Sequence, residues 1–263
     1  MTSEQSDGEA LASLVDLSHT LADPPRAYAI LGEGNVSSRT DKATFLIKAS
    51  GASLGAATPH SFVRVDLGRA QDLVDRPPTG DEAIDLALRN MVVDSSAGTR
   101  PSVETGMHAA LFTTTAARWI AHTHAPAITG VLCSVRAEAL TAGALFPDQV
   151  VVCGAHPLLV PYVDPGVPLA RSLMAAVQKH TQTHGEPPKA IYLQNHGFVA
   201  LGGSAREVLA ITDMASKAAA ILTVALSCGG VRYLAPEDVA RIAGRPDEHH
   251  RQRVLGLRGG RST

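Results

Sequence analysis

Three histidines in this sequence have the neighbours and spacing of a metal site. His122 and His124 form a His-x-His pair, and His196 lies in Asn195-His196-Gly197. Side chains two residues apart on a strand face the same way, so His122 and His124 can present two imidazoles to one point. Such a pair alone is as often two hydrogen-bonded surface histidines. Three imidazoles with an open position, however, are typical of a catalytic zinc, which polarises an oxygen.

A carboxylate upstream of these histidines is the candidate acid or base. Glu104 lies in Ser102-Val103-Glu104, which is predicted to open a helix with Ser102 as its N-cap. The positive end of the helix dipole favours the ionised carboxylate. Glu104 therefore either stabilises its helix or faces the metal as a ligand or base. His108 lies one helical turn further on, and we expect it to pack behind the site rather than bind the metal.

Two glycine-containing turns carry exposed hydrogen-bond donors. The first, residues 34–39, contains Asn35 and Ser37, and the second, residues 48–51, contains Lys48, Ser50 and Gly51. Backbone N–H groups in such turns can form an anion-binding nest, although similar turns also serve as plain connectors. Neither turn is a Walker loop or a GxGxxG motif, so a nucleotide is not implied.

The elements that must position these groups interleave along the chain. Hydrophobic periodicity predicts helices over residues 8–21, 126–133, 167–180, 205–226 and 236–242, besides the helix that opens at Ser102. Short apolar runs predict strands over residues 44–48, 62–67, 119–123, 150–152, 158–160, 190–194 and 198–201. This alternation predicts one α/β domain over residues 1–248, followed by an Arg- and Gly-rich tail, 249–263, that we expect to be mobile.

Composition excludes several classes of protein. The 263 residues carry a net charge of -2, so no basic field favours nucleic acid. No run of about 20 apolar residues lacks charges and the N-terminus is polar, so we expect no membrane span and a cytoplasmic location. The three distant cysteines form neither a disulfide framework nor a zinc knuckle. Only 18% of residues are charged, which favours burial of surface between copies of the chain.

Together, and in this order, the motifs resemble those of the class II aldolase/adducin family, which includes fuculose-phosphate aldolases. The resemblance spans about Ala10 to Tyr233. It implies a three-layer α/β/α domain around a mainly antiparallel sheet, commonly assembled as a homotetramer. It also implies that three histidines bind Zn²⁺, or Mn²⁺ or Co²⁺, with Glu104 as the acid/base. The residues that it implies bind substrate are Asn35, Ser37, Lys48, Ser50, Gly51 and Ser102.

The reaction that the resemblance implies is that of a lyase in carbohydrate metabolism. A metal-stabilised enediolate would form as a C–C bond beside a carbonyl breaks in a small sugar-like or hydroxy-keto substrate. A decarboxylase, dehydratase or epimerase would use the same site, and an adducin-like assembly domain without catalysis is a further alternative. Val103 stands where the family has a second serine, so a phosphate requirement stays open. Some members have a tyrosine where this chain has Ala142-Gly143-Ala144, which leaves Tyr162 and Tyr233 as candidate proton donors.

Overall fold

The structure, a computed structural model, describes residues 7–93 and 100–245 and is built around one sheet. The strands are Asn35–Arg39 (β1), Thr44–Lys48 (β2), Phe62–Asp66 (β3), Trp119–Thr123 (β4), Leu158–Val160 (β5), Ala190–Leu193 (β6) and Gly197–Gly202 (β7). The helices are Asp7–Leu21 (α1), Leu67–Asp75 (α2), Asp81–Asn90 (α3), Thr105–Thr114 (α4), Pro126–Leu132 (α5), Pro147–Cys153 (α6), Val167–His184 (α7), Ala205–Ser227 (α8) and Pro236–Ala243 (α9).

The sheet has the strand order β3-β2-β1-β4-β7-β6-β5, and only the β5–β6 pair is parallel. Successive side chains of the central strand β4 enter opposite cores. Trp119 and Ala121 pack with α1, α5 and α8, whereas Ile120 packs with α2, α4 and α7. The predicted three-layer α/β/α fold with a mainly antiparallel sheet is therefore confirmed.

The helix α8 covers one face of the sheet. Its N-cap Ser204 accepts a hydrogen bond from the backbone N–H of Glu207, and its Val208, Ile211 and Leu222 are buried. Within the described parts of the chain, α8 is the one helix that has the length and apolar composition to cross a membrane. It lies against β4 and β7 like a core helix of a globular protein. The absence of a membrane span stays a prediction.

Three predicted local structures were wrong. Residues 150–152 belong to α6 rather than to a strand, because Pro147 begins a helix there and Gly154, with φ of 86°, ends it. Residues 35–39 form the strand β1 rather than a turn. Their mostly polar side chains lack the apolar alternation by which a strand is recognised in sequence. The helix α4 begins at Thr105, so Glu104, not Ser102, occupies its N-cap position. The predicted tail, 249–263, lies outside the described residues.

Candidate metal centre

The three histidines meet where β4 ends and β7 begins. These strands are antiparallel neighbours, with Thr123 opposite Phe198. The turn between β6 and β7 carries His196, and the preceding Asn195 has φ of 53°, a left-handed conformation that Asn tolerates better than most residues. The ring centroids lie 4.9 Å (His122–His124), 4.9 Å (His122–His196) and 5.2 Å (His124–His196) apart. Sheet pairing thus brings together residues that are far apart in sequence.

Hydrogen bonds at the outer nitrogens orient two of the rings. His122 Nδ1 donates to the carbonyl oxygen of Phe198 at 3.0 Å, and His124 Nδ1 donates to Glu33 Oε2 at 3.1 Å. A neutral imidazole protonated at Nδ1 has a lone pair at Nε2. The Nε2 atoms of His122 and His124 face each other at 3.1 Å. Both can reach one ion at the usual Zn–N distance of about 2.0–2.1 Å.

Glu104 completes the cluster from the start of α4. Its Oε1 lies 3.2 Å from His196 Nε2, and its Oε2 lies 3.4 Å from His122 Nε2. The contact of Oε1 with His196 is at ion-pair distance without hydrogen-bond geometry, so this buried oxygen has no hydrogen-bond partner in the described structure. An unpaired buried carboxylate oxygen costs stability. Three imidazole nitrogens and a carboxylate therefore fit a divalent cation such as zinc.

Burial and neighbouring groups set the charge of these side chains in opposite directions. Burial alone would raise the pKa of Glu104, but the adjacent imidazoles of His122 and His196 and the hydrogen bond from Asn35 hold that pKa well below its usual value. Burial lowers the pKa of His122 to about 4, more than the nearby carboxylate raises it. Each of these shifts depends on the charge of the other group, so the cluster favours an ionised carboxylate beside positive charge, which a bound cation would supply where the imidazoles are neutral ligands.

A cavity of about 240 Å³ opens in front of the cluster. Five predicted substrate-binding residues line it, namely Asn35, Lys48, Ser50, Gly51 and Ser102. Ser37 is not among the lining residues, because its hydroxyl bonds His108 Nδ1 at 2.6 Å behind the cavity wall. Val103 contributes an apolar side chain that is 48% exposed.

Lys48 is the buried cation of the cavity wall. Its Nζ donates to the carbonyl oxygens of Gly32 at 2.8 Å and Ala52 at 2.6 Å. Burial lowers the pKa of this amine, and the charge of Glu104 opposes that effect. Two of its three donors are therefore used to hold the two turns, and one is left for a ligand.

Neither candidate tyrosine lines this cavity. The Tyr162 hydroxyl donates to Asp164 Oδ1 at 2.9 Å. The Tyr233 hydroxyl donates to the carbonyl oxygen of Ala139 at 2.8 Å, and its ring packs against Gly143. Their role as proton donors stays a prediction.

The sequence interpretation missed Glu33. This carboxylate binds the ring of His124 through Oε2 and the backbone N–H of Ile30 through Oε1, at 2.8 Å. A carboxylate that holds the outer nitrogen of a ligand histidine is a recurrent feature of metal sites. The only sequence signal for Glu33 is that it is an acidic residue between two glycines just before Asn35. Nothing in the spacing connects Glu33 to His124.

A second cavity, of about 230 Å³, lies at the opposite end of the sheet. It is lined by His156, His180, Lys189 and Glu207 among other residues. Its Lys189–Glu207 ion pair is already satisfied, since Lys189 Nζ donates to Glu207 Oε1 at 2.7 Å and the backbone N–H of Gly203 donates to Glu207 Oε2 at 2.8 Å. The first cavity, with its unpaired Glu104 oxygen, is therefore the better candidate.

Substitution of Gly197 by Ala is expected to destabilise the protein and weaken metal binding. A Cβ at this position would lie 2.6 Å from the carbonyl oxygen of Thr123 and 2.7 Å from His124 Cδ2. The backbone and a candidate ligand would both have to shift, which we expect to cost about 1–3 kcal/mol. The control is Gly130→Ala in α5, where an added Cβ meets nothing within 4 Å. Equal melting temperatures and metal contents for the two variants would contradict this prediction.

Comparison with known proteins shows similarity over most of the chain. A family model for the class II aldolase and adducin N-terminal domain matches residues 12–223. The structure of YgbL from Klebsiella pneumoniae, whose description leaves aldolase, epimerase and decarboxylase reactions open, superposes with a TM-score of 0.68 at 22% identity, covering 90% of this chain and 99% of that one. An L-fuculose 1-phosphate aldolase superposes with a TM-score of 0.69 at 20% identity, covering 92% and 97%.

A third solved structure agrees with these. The N-terminal class II aldolase domain of a conserved Thermoplasma acidophilum protein superposes with a TM-score of 0.60 at 25% identity, covering 82% of this chain and 95% of that one. A search of curated protein sequences gave no significant match.

Proposed function

The chain belongs to the class II aldolase and adducin family, and we propose that it is a divalent-metal-dependent lyase of the aldolase type. The observation that supports this proposal is the convergence of three imidazoles and an ionised carboxylate beside a cavity of about 240 Å³. The proposed reaction makes or breaks a C–C bond next to a carbonyl in a small sugar-like or hydroxy-keto substrate.

The side chains have distinct tasks in this proposal. A bound divalent cation, proposed to be zinc held by His122, His124 and His196, would polarise the carbonyl oxygen of the substrate. Glu104 would hold or move the proton at the neighbouring carbon through Oε1, the oxygen without a hydrogen-bond partner. Asn35 would keep Oε2 in place through its bond of 2.6 Å.

The turns at the cavity wall would bind the rest of the substrate. Lys48 and Ser50 offer a positive charge and a hydroxyl, and Gly51 permits close approach of the backbone. The side chain of Val103 offers no hydrogen bond where an anionic group would approach, which favours a substrate without phosphate there.

Decarboxylation, dehydration and epimerisation remain alternatives, because each can begin from the same polarised carbonyl and the same carboxylate. An adducin-like assembly domain without catalysis is disfavoured by the intact cluster of histidines and carboxylate. A cytoplasmic location, a role in carbohydrate metabolism and a homotetramer are further parts of the proposal. Ile30 and Leu31, which are 57% and 85% exposed beside Glu33, support a contact between copies.

Metal analysis coupled to a retro-aldol screen tests the proposal. The screen would contain phosphorylated and non-phosphorylated ketoses and 3-hydroxy-2-keto acids. We expect about one divalent ion per chain, because three imidazoles with an open position form one catalytic zinc site. We also expect release of an aldehyde from a non-phosphorylated substrate. Full turnover by metal-free protein would overturn the metal-dependent mechanism. A folded, metal-free protein that is inert toward every compound would favour the assembly domain.

A further inference from the structure

A chain of buried hydrogen bonds leads away from Glu104 into the core. Asn35 Nδ2 donates to Glu104 Oε2 at 2.6 Å, and Asn35 Oδ1 accepts a short hydrogen bond from His108 Nε2. His108 Nδ1 in turn contacts the Ser37 hydroxyl at 2.6 Å. All four side chains are buried, and those of His108 and Ser37 belong to residues that are 0% exposed. The sheet and α4 therefore enclose one continuous polar path.

The charge of Glu104 determines which group donates in each of these hydrogen bonds. An ionised carboxylate only accepts hydrogen bonds, so Asn35 must turn its NH₂ group toward Glu104. Its oxygen then faces His108, whose Nε2 must carry the proton. Nδ1 is left as an acceptor for the hydroxyl of Ser37. Burial lowers the pKa of His108 to about 3, so the ring is neutral and has one donor and one acceptor, as this arrangement requires.

The opposite orientation of the Asn35 amide would be unfavourable for the site. A half-turn of the amide would place Oδ1 against the anionic Glu104 oxygen at the same short distance. His108 opposes this half-turn, because its protonated Nε2 would then face the NH₂ group. Ser37 supports the same tautomer from the far side of the ring.

We propose that His108, with its tautomer set by Ser37, is a positioning residue that fixes the Asn35 amide so that Glu104 Oε2 stays bound and Oε1 stays free to exchange a proton. This inference rests on the proposed function, because it assigns a role to the free oxygen. His108 does not line the cavity, and the hydrogen bonds of its ring go to Ser37 and Asn35, although the ring also interacts electrostatically with His122. The hydrogen-bonded route from His108 to the site therefore passes through Asn35 to Glu104, and an unchanged metal content in the variants separates it from an effect on His122.

Kinetics of two variants test this path. His108→Phe removes both bonds while it keeps a planar ring, and Ser37→Ala removes only the bond that sets the tautomer. We expect kcat to fall about 10- to 100-fold in His108→Phe and less in Ser37→Ala, with KM and metal content unchanged. In a Glu104→Gln background neither change should reduce kcat further, because the carboxylate that these hydrogen bonds position has been replaced by a neutral amide.

The matched control is Ser18→Ala in α1. Ser18 is also 0% exposed, and its hydroxyl bonds the carbonyl oxygen of Leu14 at 2.7 Å, far from the site in sequence. It should lose stability as Ser37→Ala does, but keep the wild-type kcat. A His108→Phe variant that loses as much kcat in the Glu104→Gln background as in the wild type would overturn the proposal.

Nitrogen-15 NMR of the imidazoles tests the same series of hydrogen bonds without a measurement of activity. In the full-length protein we expect His108 to be the Nε2–H tautomer, with mixed tautomers in Ser37→Ala and no change in Ser18→Ala. An Nδ1–H tautomer in the wild type would overturn the proposed chain. If no substrate is found, the proposed function fails, whereas this spectrum still shows whether His108 and Ser37 hold the amide.

Discussion

Replacement of Glu104 by Gln is expected to reduce kcat by about 10²- to 10⁴-fold, the usual contribution of a positioned acid or base. Glutamine keeps the size of the side chain, and its oxygen can still accept the hydrogen bond from Asn35. It lacks a basic oxygen, so the proton next to the carbonyl has no acceptor. The three histidines are unchanged, and we therefore expect the variant to keep most of its metal. Steady-state kinetics and metal analysis of the same preparation measure both effects.

The control for this substitution is Glu207→Gln at the opposite end of the sheet. Glu207 is 6% exposed and Glu104 is 8% exposed, so both variants remove a buried negative charge. Glu207 binds Lys189 and the backbone N–H of Gly203, and its loss should lower the melting temperature but not kcat. A Glu104→Gln variant with near wild-type turnover would remove Glu104 from the mechanism.

Replacement of His122 by Ala is expected to abolish both metal binding and turnover. His122 is 0% exposed and lies at the centre of the cluster, within 3.1 Å of His124 Nε2 and 3.4 Å of Glu104 Oε2. Removal of a group that only hydrogen-bonds a metal ligand typically lowers metal affinity about 10- to 100-fold. Loss of the ligand His122 itself should lower the affinity by more than this. Equilibrium dialysis followed by metal analysis measures this loss directly.

Thermal unfolding gives an independent measure of the same effect. A metal present at 100 times its Kd should stabilise the wild-type protein by about 2.7 kcal/mol. The His122→Ala variant should show no such rise in melting temperature. The control is His180→Ala, because His180 is also buried but its ring nitrogens lie against two backbone carbonyl oxygens away from the cluster. Metal-dependent stabilisation of His122→Ala equal to that of His180→Ala would contradict the assignment of His122 as a ligand.

Local sequence patterns determined much of the secondary structure and the strand-borne half of the candidate metal site. The alternation along β4 was enough to turn His122 and His124 toward one point, since side chains two apart on a strand share a face. Turn residues and apolar periodicity placed α7 and α8 within a few residues of their observed ends. The order of the motifs further indicated the family, which the match over residues 12–223 confirmed.

The same local patterns failed where burial came from distant partners. The sequence Asn-Val-Ser-Ser-Arg of β1 has no alternation of apolar residues, yet it lies between β2 and β4 in the middle of the sheet. Three of its polar side chains, those of Asn35, Ser37 and Arg39, bond groups that α4 and its N-cap bring to them. Residues 150–152 show the converse error, since three valines resemble a strand although Pro147 and Gly154 set the ends of a helix.

The residue types and the spacing of the His-x-His pair were thus determined by the sequence alone, because they depend on neighbours along one strand. The tertiary structure decided which groups orient them. Glu33 meets His124 across 91 positions, Asn35 meets Glu104 across 69, and Ser37 meets His108 across 71. These contacts follow from the pairing of β1 with β4 and from the packing of α4 on the sheet. Short-range periodicity in the sequence does not predict these contacts, because each depends on the assembled sheet rather than on adjacent residues.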